Sequence, residues 1–318
     1  MRECRAFLLS SGLGTRLRPL TEQIPKPLVP IFHKPLLTFA LDHLLSLGID
    51  QIGINVRYLW ESFYKEFRVA PDAEDGDFGT YEGHRLHFFK EPSYLGTGGS
   101  LRNARHFLEQ GTFLIHNGDI LTNIALEDLL RQHHGSGAIA TLLLREEGGA
   151  LNVCYDEKSN RVIDIQGNFS HPEHLLFLYC GIAIIEPAIF NFIPPEGEAS
   201  LIDALLNAMK AGHCVGGFVT RSGFWSDIGT PESYLQTHLE LATAPWKFHY
   251  PLRGPTADTW PQAIHPTAVI DPSAKLQGTV VAGAYARIAC HTNVSDSVLL
   301  PGAIVKSDAT ISDKIILV

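Results

Sequence analysis

Ala6-Phe-Leu-Leu-Ser10 is a short apolar run, and the loop Ser11-Gly-Leu-Gly-Thr-Arg16 follows it directly. An apolar run bounded by glycine predicts a buried strand that ends where the loop begins. Two glycines one residue apart allow the backbone to approach a phosphate, because successive N–H groups can then surround an anion. The same pattern also fits an ordinary structural turn, so the loop alone does not assign a function.

The alternation of apolar runs and helical patterns continues through residues 1–242. Strands are predicted at 6–10, 52–56, 86–89, 112–116 and 138–144, and helices at 36–47, 59–67, 99–108 and 124–134. This rhythm predicts an α/β domain with a Rossmann-like, mostly parallel sheet that carries helices on both faces. Ligands of such sheets bind beyond the carboxyl ends of the strands, so we expect the site there.

The sequence changes character after residue 242. Residues 243–262 contain prolines without periodicity and are predicted to form a linker. In residues 263–318, apolar residues recur every six positions at Ile264, Ile270, Leu276, Ala282, Ile288, Val294 and Leu300, and the phase then slips by one to Val305 and Ile311. A hexapeptide period predicts a parallel β-helix, and this one resembles the short left-handed β-helix of hexapeptide-repeat proteins.

Composition excludes several classes of protein. The chain has 318 residues and a formal net charge of −9, without a run rich in Lys or Arg, so we expect no nucleic-acid partner. No apolar stretch approaches the roughly 20 residues that span a bilayer, so we expect no membrane partner. The five cysteines are scattered without a CxxC pair, which predicts reduced thiols in a cytoplasmic protein rather than disulfides or a zinc site.

Two nucleotide-binding motifs are absent. Leu17 stands where a dinucleotide-binding fingerprint needs its third glycine, and no GxxxxGK[ST] sequence of a P-loop occurs. Five motifs, at 12–21 with 25–28, 95–99, 117–119, 179–182 and 225–232, instead resemble in order those of the sugar nucleotidyltransferases (NDP-sugar pyrophosphorylases), whose consensus is GxGTRLxPLT followed by PKP. The resemblance implies a Mg²⁺-dependent enzyme that makes an NDP-sugar and pyrophosphate from a nucleoside triphosphate and a sugar 1-phosphate.

The resemblance also implies a role for each motif. Arg16 would contact the triphosphate and the leaving pyrophosphate, and Lys26 the α-phosphate and the sugar phosphate. Asp119 and Asp227 would hold Mg²⁺, since two carboxylates with phosphate oxygens and water suit that ion. Taken singly, each has an ordinary interpretation as a solvated cation, a turn or a helix cap. The implied nucleotide side comprises Ser11, Gly12, Gly14, Thr15, Gly96, Gly98, Asn117 and Gly118, and the implied sugar-phosphate side Asn152 and Gly181.

One stretch departs from the family pattern. Many relatives carry Glu-Lys-Pro after the mid-domain hairpin, whereas residues 162–168 lack both the Glu and the Lys, and residues 148–152 replace a Tyr-Gly pair. Muramic-acid-1-phosphate uridylyltransferases and heptose-1-phosphate guanylyltransferases also tend to lack that lysine and to carry Thr-Gly-Gly, which is present here at 97–99. Mannose-1-phosphate guanylyltransferases usually show Gly-Thr-Ala-Gly. The sequence therefore leaves the base and the sugar open.

Three functions follow from these observations. The first is an active enzyme most like the mannose/heptose-1-phosphate guanylyltransferase group, in which the β-helix mediates domain docking or formation of a homo-oligomer. The second is a muramic-acid-1-phosphate-type uridylyltransferase. The third is a catalytically weak regulatory or scaffold protein that binds nucleotide sugars. An acyltransferase β-helix is disfavoured, because about nine hexapeptides form only about three coils.

Overall fold

The structure, a computed structural model, describes residues 4–70, 77–167, 175–244 and 246–318. The remaining positions belong to the predicted 1–242 domain, the 162–168 segment and the 243–262 linker, so these predictions extend partly outside the described residues. The α-helices are α1 (Leu36–Ser46), α2 (Trp60–Glu66), α3 (Gly96–Asn103), α4 (Arg105–Leu108), α5 (Glu127–Ser136), α6 (Leu201–Lys210) and α7 (Pro231–Thr243).

Fourteen of the described strands precede α7. They are β1 (Arg5–Leu9), β2 (Pro30–Ile31), β3 (Lys34–Pro35), β4 (Ile52–Val56), β5 (Asp77–Tyr81), β6 (His84–Lys90), β7 (Phe113–Asn117), β8 (Ile120–Thr122), β9 (Ala140–Arg145), β10 (Val153–Asp156), β11 (Arg161–Ile165), β12 (Leu175–Ile185), β13 (Val215–Val219) and β14 (Trp225–Asp227). The later strands are β15 (Val269–Ile270), β16 (Lys275–Ala282), β17 (Arg287–Ile288), β18 (Asn293–Leu299), β19 (Ile304–Val305), β20 (Thr310–Ser312) and β21 (Ile315–Ile316).

A ten-stranded sheet forms the centre of the α/β part, in the order β10-β11-β13-β9-β12-β7-β1-β4-β6-β5. β1 pairs in parallel with β4 and β7, and β4 in parallel with β6. β12 runs antiparallel between β7 and β9. The α/β fold class is confirmed, and the sheet is mixed. Besides β12, the strands β5, β10 and β11 pair antiparallel with their neighbours.

Helices cover both faces of this sheet. In β1, Phe7 joins one apolar core, whereas its neighbours Ala6 and Leu8 join another, because successive side chains of a strand point to opposite faces. Residues of α3, α4 and α6 complete the first core, and residues of α1, α2 and α5 complete the second. The predicted helix 99–108 is two helices, since the chain leaves helical geometry at Ala104, with φ −99° and ψ 16°.

The strands after residue 263 form parallel ladders, and this segment (263–318) is called the C-terminal module below. Residues three hexads apart pair with one another, as Ile270 does with Ile288 and Leu276 with Val294. The ladders β15-β17-β19 and β16-β18-β20 are both parallel, and β21 lies beside β18. This arrangement is consistent with the predicted parallel β-helix, while its handedness stays a prediction.

The hexad register shifts earlier than the sequence predicts. Gly278 and Thr279 of β16 lie opposite the single residue Asp296 of β18, and the Thr279 amide donates to the Asp296 carboxylate at 2.9 Å. Ala282 consequently pairs with Leu299 and not with Leu300. The predicted inward position of Leu300 is therefore wrong. The one-residue slip in the six-residue period occurs at this bulge, opposite Asp296, and not after Leu300.

Leu300 instead belongs to an apolar core that joins the C-terminal module to the α/β part, called the shared core below. Its buried members include Val281, Val298 and Leu300 of the module, Tyr234 and Leu241 of α7, and Leu17 and Leu20, which follow the loop 11–16 (called the glycine loop below). The linker lies over the same region, where the Trp260 indole N–H donates to the Ile31 carbonyl at 3.1 Å. The module is thus docked on the α/β part.

A buried histidine ties α7 to the turn between β2 and β3. The Phe32 amide donates to His238 Nε2 at 2.9 Å, while His238 Nδ1 lies 2.9 Å from the Tyr234 carbonyl. Because a carbonyl only accepts, Nδ1 carries the proton and the ring is neutral. Burial lowers the pKa of His238 to about 4.

Among the described residues, no helix is both long and apolar enough to cross a membrane. All five cysteines are described, and none of them forms a disulfide.

Candidate functional site

Two adjoining cavities lie at the carboxyl ends of β1 and β7. The larger cavity has a volume of about 280 Å³. The smaller cavity has a volume of about 180 Å³. Leu9, Thr97 and Asn117 line both cavities. This is the edge of the sheet at which the sequence predicts a ligand.

Most of the predicted site residues line the larger cavity, namely Ser11, Gly12, Gly14, Thr15, Arg16, Lys26, Gly96, Asn117 and Asp119. Asn152 lines the smaller cavity. Asp227 joins the site through an ion pair with Lys26. Gly98, Gly118 and Gly181 are absent from the described lining of both cavities.

These three glycines pack behind the cavity walls. The Gly98 amide donates to the Ala199 carbonyl at 2.8 Å, which holds α3 against the chain before α6. A Cβ at Gly118 would collide with the Ser10 side chain. Gly181 has φ +73°, and a Cβ there would lie 2.5 Å from Asn117 Nδ2. Close packing accounts for glycine at Gly118 and Gly181, and the predicted ligand contacts of all three glycines stay predictions.

The glycine loop is held from both ends. Gly14 adopts a left-handed conformation with φ +61°, and the Thr21 hydroxyl donates to its carbonyl at 2.8 Å. Leu17 is fully buried in the shared core. The loop therefore presents its backbone to the cavity in a conformation fixed before any ligand binds.

Lys26 lies between two carboxylates. Its Nζ is 2.7 Å from Asp119 Oδ2 and 2.8 Å from Asp227 Oδ1, and its side chain is 7% exposed. Arg16 Nη2 lies 3.4 Å from Asp227 Oδ2, with its side chain 68% exposed. The four predicted charged residues thus meet in one place, and Arg16 is free to move onto an incoming anion.

Antiparallel pairing of two short strands brings the carboxylates together. β8 follows Asp119 directly, and Asp227 ends β14, where it pairs with Ile120. Within the described residues, no group of three or more His, Cys, Asp or Glu side chains could hold a metal. Two carboxylates around one point nevertheless fit Mg²⁺, which takes few protein ligands and completes its shell with phosphate oxygens and water.

A buried polar network supports the larger cavity. Asn55 Oδ1 accepts from the Ser10 amide at 2.6 Å, and Asn55 Nδ2 donates to Glu91 Oε1 at 2.7 Å. The Ser100 hydroxyl donates to the same Glu91 oxygen at 2.6 Å. The sequence analysis missed Asn55 and Ser100, although a single polar residue within the apolar strand 52–56 was a usable signal.

The described lining of the smaller cavity contains no Asp, Glu, Lys, Arg or His, and half of its residues are apolar. Its polar members are Thr97, Asn117, Asn152, Gln166 and Tyr179. Burial raises the pKa of Tyr179, so its phenol stays protonated and can donate a hydrogen bond. The sequence motif at 179–182 includes Tyr179, but the analysis did not single it out.

Comparison with known proteins identifies the family. Residues 5–244 match the profile of the Nucleotidyl transferase family. This chain belongs to that family. The match covers both cavities and all four charged residues of this nucleotidyltransferase, and the predicted enzyme class, a transferase that forms NDP-sugars, is confirmed.

Relatives of this nucleotidyltransferase act on different substrates. A mannose-1-phosphate guanylyltransferase of Mycobacterium tuberculosis is 31% identical over 314 residues, which cover 96% of this chain and 82% of the relative. A UTP–glucose-1-phosphate uridylyltransferase of Synechocystis sp. is 31% identical, over 73% of this chain and 62% of the relative. The mannose-1-phosphate guanyltransferase beta-A of Xenopus laevis is 30% identical, also over 73% of this chain and 62% of its own length.

A solved structure has the same fold. It is a crystal structure of a candidate glucose-1-phosphate thymidylyltransferase from Bacillus anthracis in complex with a sucrose, with a TM-score of 0.61 and 20% identity, covering 76% of this chain and 95% of that protein. At this identity the likeness concerns the fold alone.

Proposed function

We propose that the chain joins a nucleoside triphosphate to a sugar 1-phosphate in the two cavities. An oxygen of the sugar phosphate attacks the α-phosphorus, the bond to the β-phosphate oxygen breaks, and pyrophosphate leaves. The observation that carries this proposal is the position of Lys26 between Asp119 and Asp227, beside the backbone of the glycine loop. Bringing two polyanions together demands charge neutralisation and in-line positioning rather than a side-chain nucleophile.

Each cation has a separate task. Lys26 is nearly buried and fixed by two carboxylates, so it is suited to hold the α-phosphate and the sugar phosphate in place. Arg16 is exposed and weakly held at 3.4 Å, which suits a side chain that follows the leaving pyrophosphate. The amides around Gly12 and Gly14 add donors that need no reorganisation during the reaction.

Asp119 and Asp227 would hold a divalent cation, for which Mg²⁺ is our assignment. When bound, that ion neutralises phosphate charge and orients the triphosphate. The two carboxylates already hold a cationic group, the Lys26 ammonium, at hydrogen-bonding distance. With an ion on the carboxylates, the Lys26 ammonium would be available to donate to the phosphates.

The mannose/heptose-1-phosphate guanylyltransferase group is our first assignment of substrate class. It is supported by the Mycobacterium tuberculosis relative, whose similarity extends over 96% of this chain. The Synechocystis sp. relative supports UTP as the second candidate nucleotide. We further propose that the chain comprises a nucleotidyltransferase domain at 1–242, a linker at 243–262 and the C-terminal module at 263–318. The module is proposed to be a left-handed β-helix, and the chain a cytoplasmic homo-oligomer.

The test is pyrophosphate release with a matrix of four nucleoside triphosphates and several sugar 1-phosphates. We expect GTP with mannose 1-phosphate or heptose 1-phosphate to be turned over fastest. If none of the pairs is turned over but NDP-sugars bind tightly, the chain is a sensor or scaffold rather than an enzyme. An Arg16→Gln variant is the internal check, since it keeps the fold and should lower turnover with every substrate pair.

A further inference from the structure

Each of the four charged residues of the site has a buried neighbour in the shared core within three positions along the chain. These pairs are Arg16 with Leu17, Lys26 with Val29, Asp119 with Leu121, and Asp227 with Ile228. All four apolar side chains are fully buried. Because a short stretch of backbone has few soft torsions and a packed core resists displacement, the position of each charge depends on how its apolar neighbour packs.

The C-terminal module supplies part of this shared core. Val281, Val298 and Leu300 are buried in it. Leu299 lies between the last two along the chain but belongs to a separate apolar core inside the module, called the module core below, because successive side chains of a strand point to opposite faces. One set of apolar side chains therefore stabilises the module itself, and another set packs against the α/β part.

Helix α7 connects the module to Asp227. It packs against β16 and β18 of the module. The Ser233 amide donates to the Thr230 hydroxyl at 3.2 Å and the Thr230 amide donates to the Ser233 hydroxyl at 3.0 Å, which fixes the first turn of α7. Between this turn and Asp227, Gly229 lines the larger cavity, and a Cβ at Gly229 would lie 3.1 Å from Arg16 Nη2. A displacement of α7 would therefore be transmitted to Asp227 and to the backbone against which Arg16 lies.

We propose that the C-terminal module is a positioning element of the nucleotidyl-transfer site. Val298 and Leu300 pack in the core that anchors Leu17 and α7. Through these two anchors they hold Arg16 and Asp227, which are 3.4 Å apart, at the separation that the phosphates require. In-line transfer is sensitive to such placement, since a misplacement of about 1 Å can cost roughly 100-fold in rate. This inference rests on the proposed function and adds the module to it.

Leu300→Ala and Leu299→Ala form a matched pair for the test. The two leucines are neighbours, 3% and 1% exposed, but they belong to different cores. Each truncation leaves a buried cavity, so we expect a similar fall in melting temperature. Leu300→Ala should lower kcat about 10- to 100-fold, whereas Leu299→Ala should keep kcat within about threefold of the original. A loss of kcat that is equal in the two variants, or absent from both, would overturn the proposal.

A second pair of variants covers the case in which Leu300→Ala does not fold. Val298 and Val294 both lie in β18 and are both buried, Val298 in the shared core and Val294 in the module core. Val298→Ala should lower kcat and Val294→Ala should not, and equal values would refute the proposal. Leu300→Met keeps most of the side-chain volume and should retain kcat within about threefold, whereas a loss as large as that in Leu300→Ala would contradict a role through packing.

A double-mutant cycle with Arg16→Gln distinguishes positioning from a general loosening of the fold. If Leu300 acts through Arg16, part of its effect disappears once the guanidinium is gone. The factor by which Leu300→Ala lowers kcat should therefore be at least about threefold smaller in Arg16→Gln than in the original protein. The same factor in both proteins would show that Leu300 stabilises the fold without positioning Arg16, and the inference would fail.

Nucleotide binding keeps this inference separate from the proposed function. If no pair of substrates is turned over, the proposed function fails, and calorimetry with Mg²⁺ and each of four nucleoside triphosphates then decides the role of the module. Leu300→Ala should bind the triphosphate about 10-fold more weakly than Leu299→Ala, because the groups that contact the phosphates are displaced. Equal binding by the two variants, or no binding by the original protein, would refute the positioning role.

Discussion

Replacing Lys26 with methionine removes one charge and keeps a side chain of similar length. In the unliganded protein the Lys26 Nζ donates to two carboxylate oxygens, at 2.7 Å and 2.8 Å. A hydrogen bond to a charged group is worth roughly 1.5–3 kcal/mol, so the two together contribute at most about 3–6 kcal/mol. Two effects reduce this sum.

The first effect is the desolvation of the nearly buried Lys26 ammonium. This costs the folded protein several kcal/mol, and the substitution removes that cost. The second is screening by water, since the side chains of Asp119 and Asp227 are 30% and 37% exposed. We therefore expect the free energy of unfolding to fall by only about 1–2 kcal/mol, and the variant to remain folded. The loss of transition-state stabilisation should be larger, about 100- to 1,000-fold in kcat, as for a single donor at an oxyanion.

Urea denaturation and pyrophosphate release measure these two losses separately. Adding Mg²⁺ provides a third readout, because the ammonium and the metal use the same carboxylate oxygens. Mg²⁺ alone should stabilise Lys26→Met against urea more than it stabilises the original protein. Lys275→Met, at an exposed position of the C-terminal module, is the control. A kcat within threefold of the original, or equal stabilisation of both proteins by Mg²⁺, would refute this account of the site.

Three further predictions concern the two carboxylates of the site, a buried histidine and a tightly packed glycine. Asp119→Asn and Asp227→Asn should each lower turnover at least tenfold, an order-of-magnitude expectation for weakened metal binding, with an unchanged circular dichroism spectrum; near-normal turnover in either would contradict the metal assignment. His238 has a folded pKa of about 4, below its unfolded value of about 6.5, so its contribution to stability is complete above pH 6.5 and is lost as the pH falls toward 4. Urea titrations across this range should show a smaller loss for His238→Gln, and an identical slope would show that the histidine is not responsible. Gly181→Ala should cost about 2–4 kcal/mol of stability, because the new Cβ meets Asn117 at a positive φ; thermal denaturation measures this, and a wild-type melting temperature would contradict it.

The sequence predicted the elements whose signal is local. The strand at 52–56 has the predicted bounds, because all five of its residues are buried and Ile52, Ile54 and Val56 are apolar. The helix at 36–47 ends within one residue of its prediction, since Gly48 takes the left-handed conformation that terminates a helix.

Features that depend on distant pairing were not predictable in the same way. No local pattern indicates that β8 pairs with β14, yet this ladder brings Asp119 beside Asp227. The four charged residues were therefore assigned through resemblance to a family, and only the fold shows how they meet. Asn55 is visible as the polar residue of an apolar strand, but the roles of Asn55 and Tyr179 depend on the cavities beside them, which the sequence does not show.

The shared core has a consequence for how the protein is made. Leu17 and Leu20 support the glycine loop, and they are buried against a core that also contains Val298 and Leu300 of the C-terminal module. A ribosome produces the loop long before it produces the module, so the loop has no complete apolar support while translation is in progress. The nascent polypeptide should therefore expose this surface to chaperones until the module emerges, and phosphate binding at the loop should mature late in biogenesis.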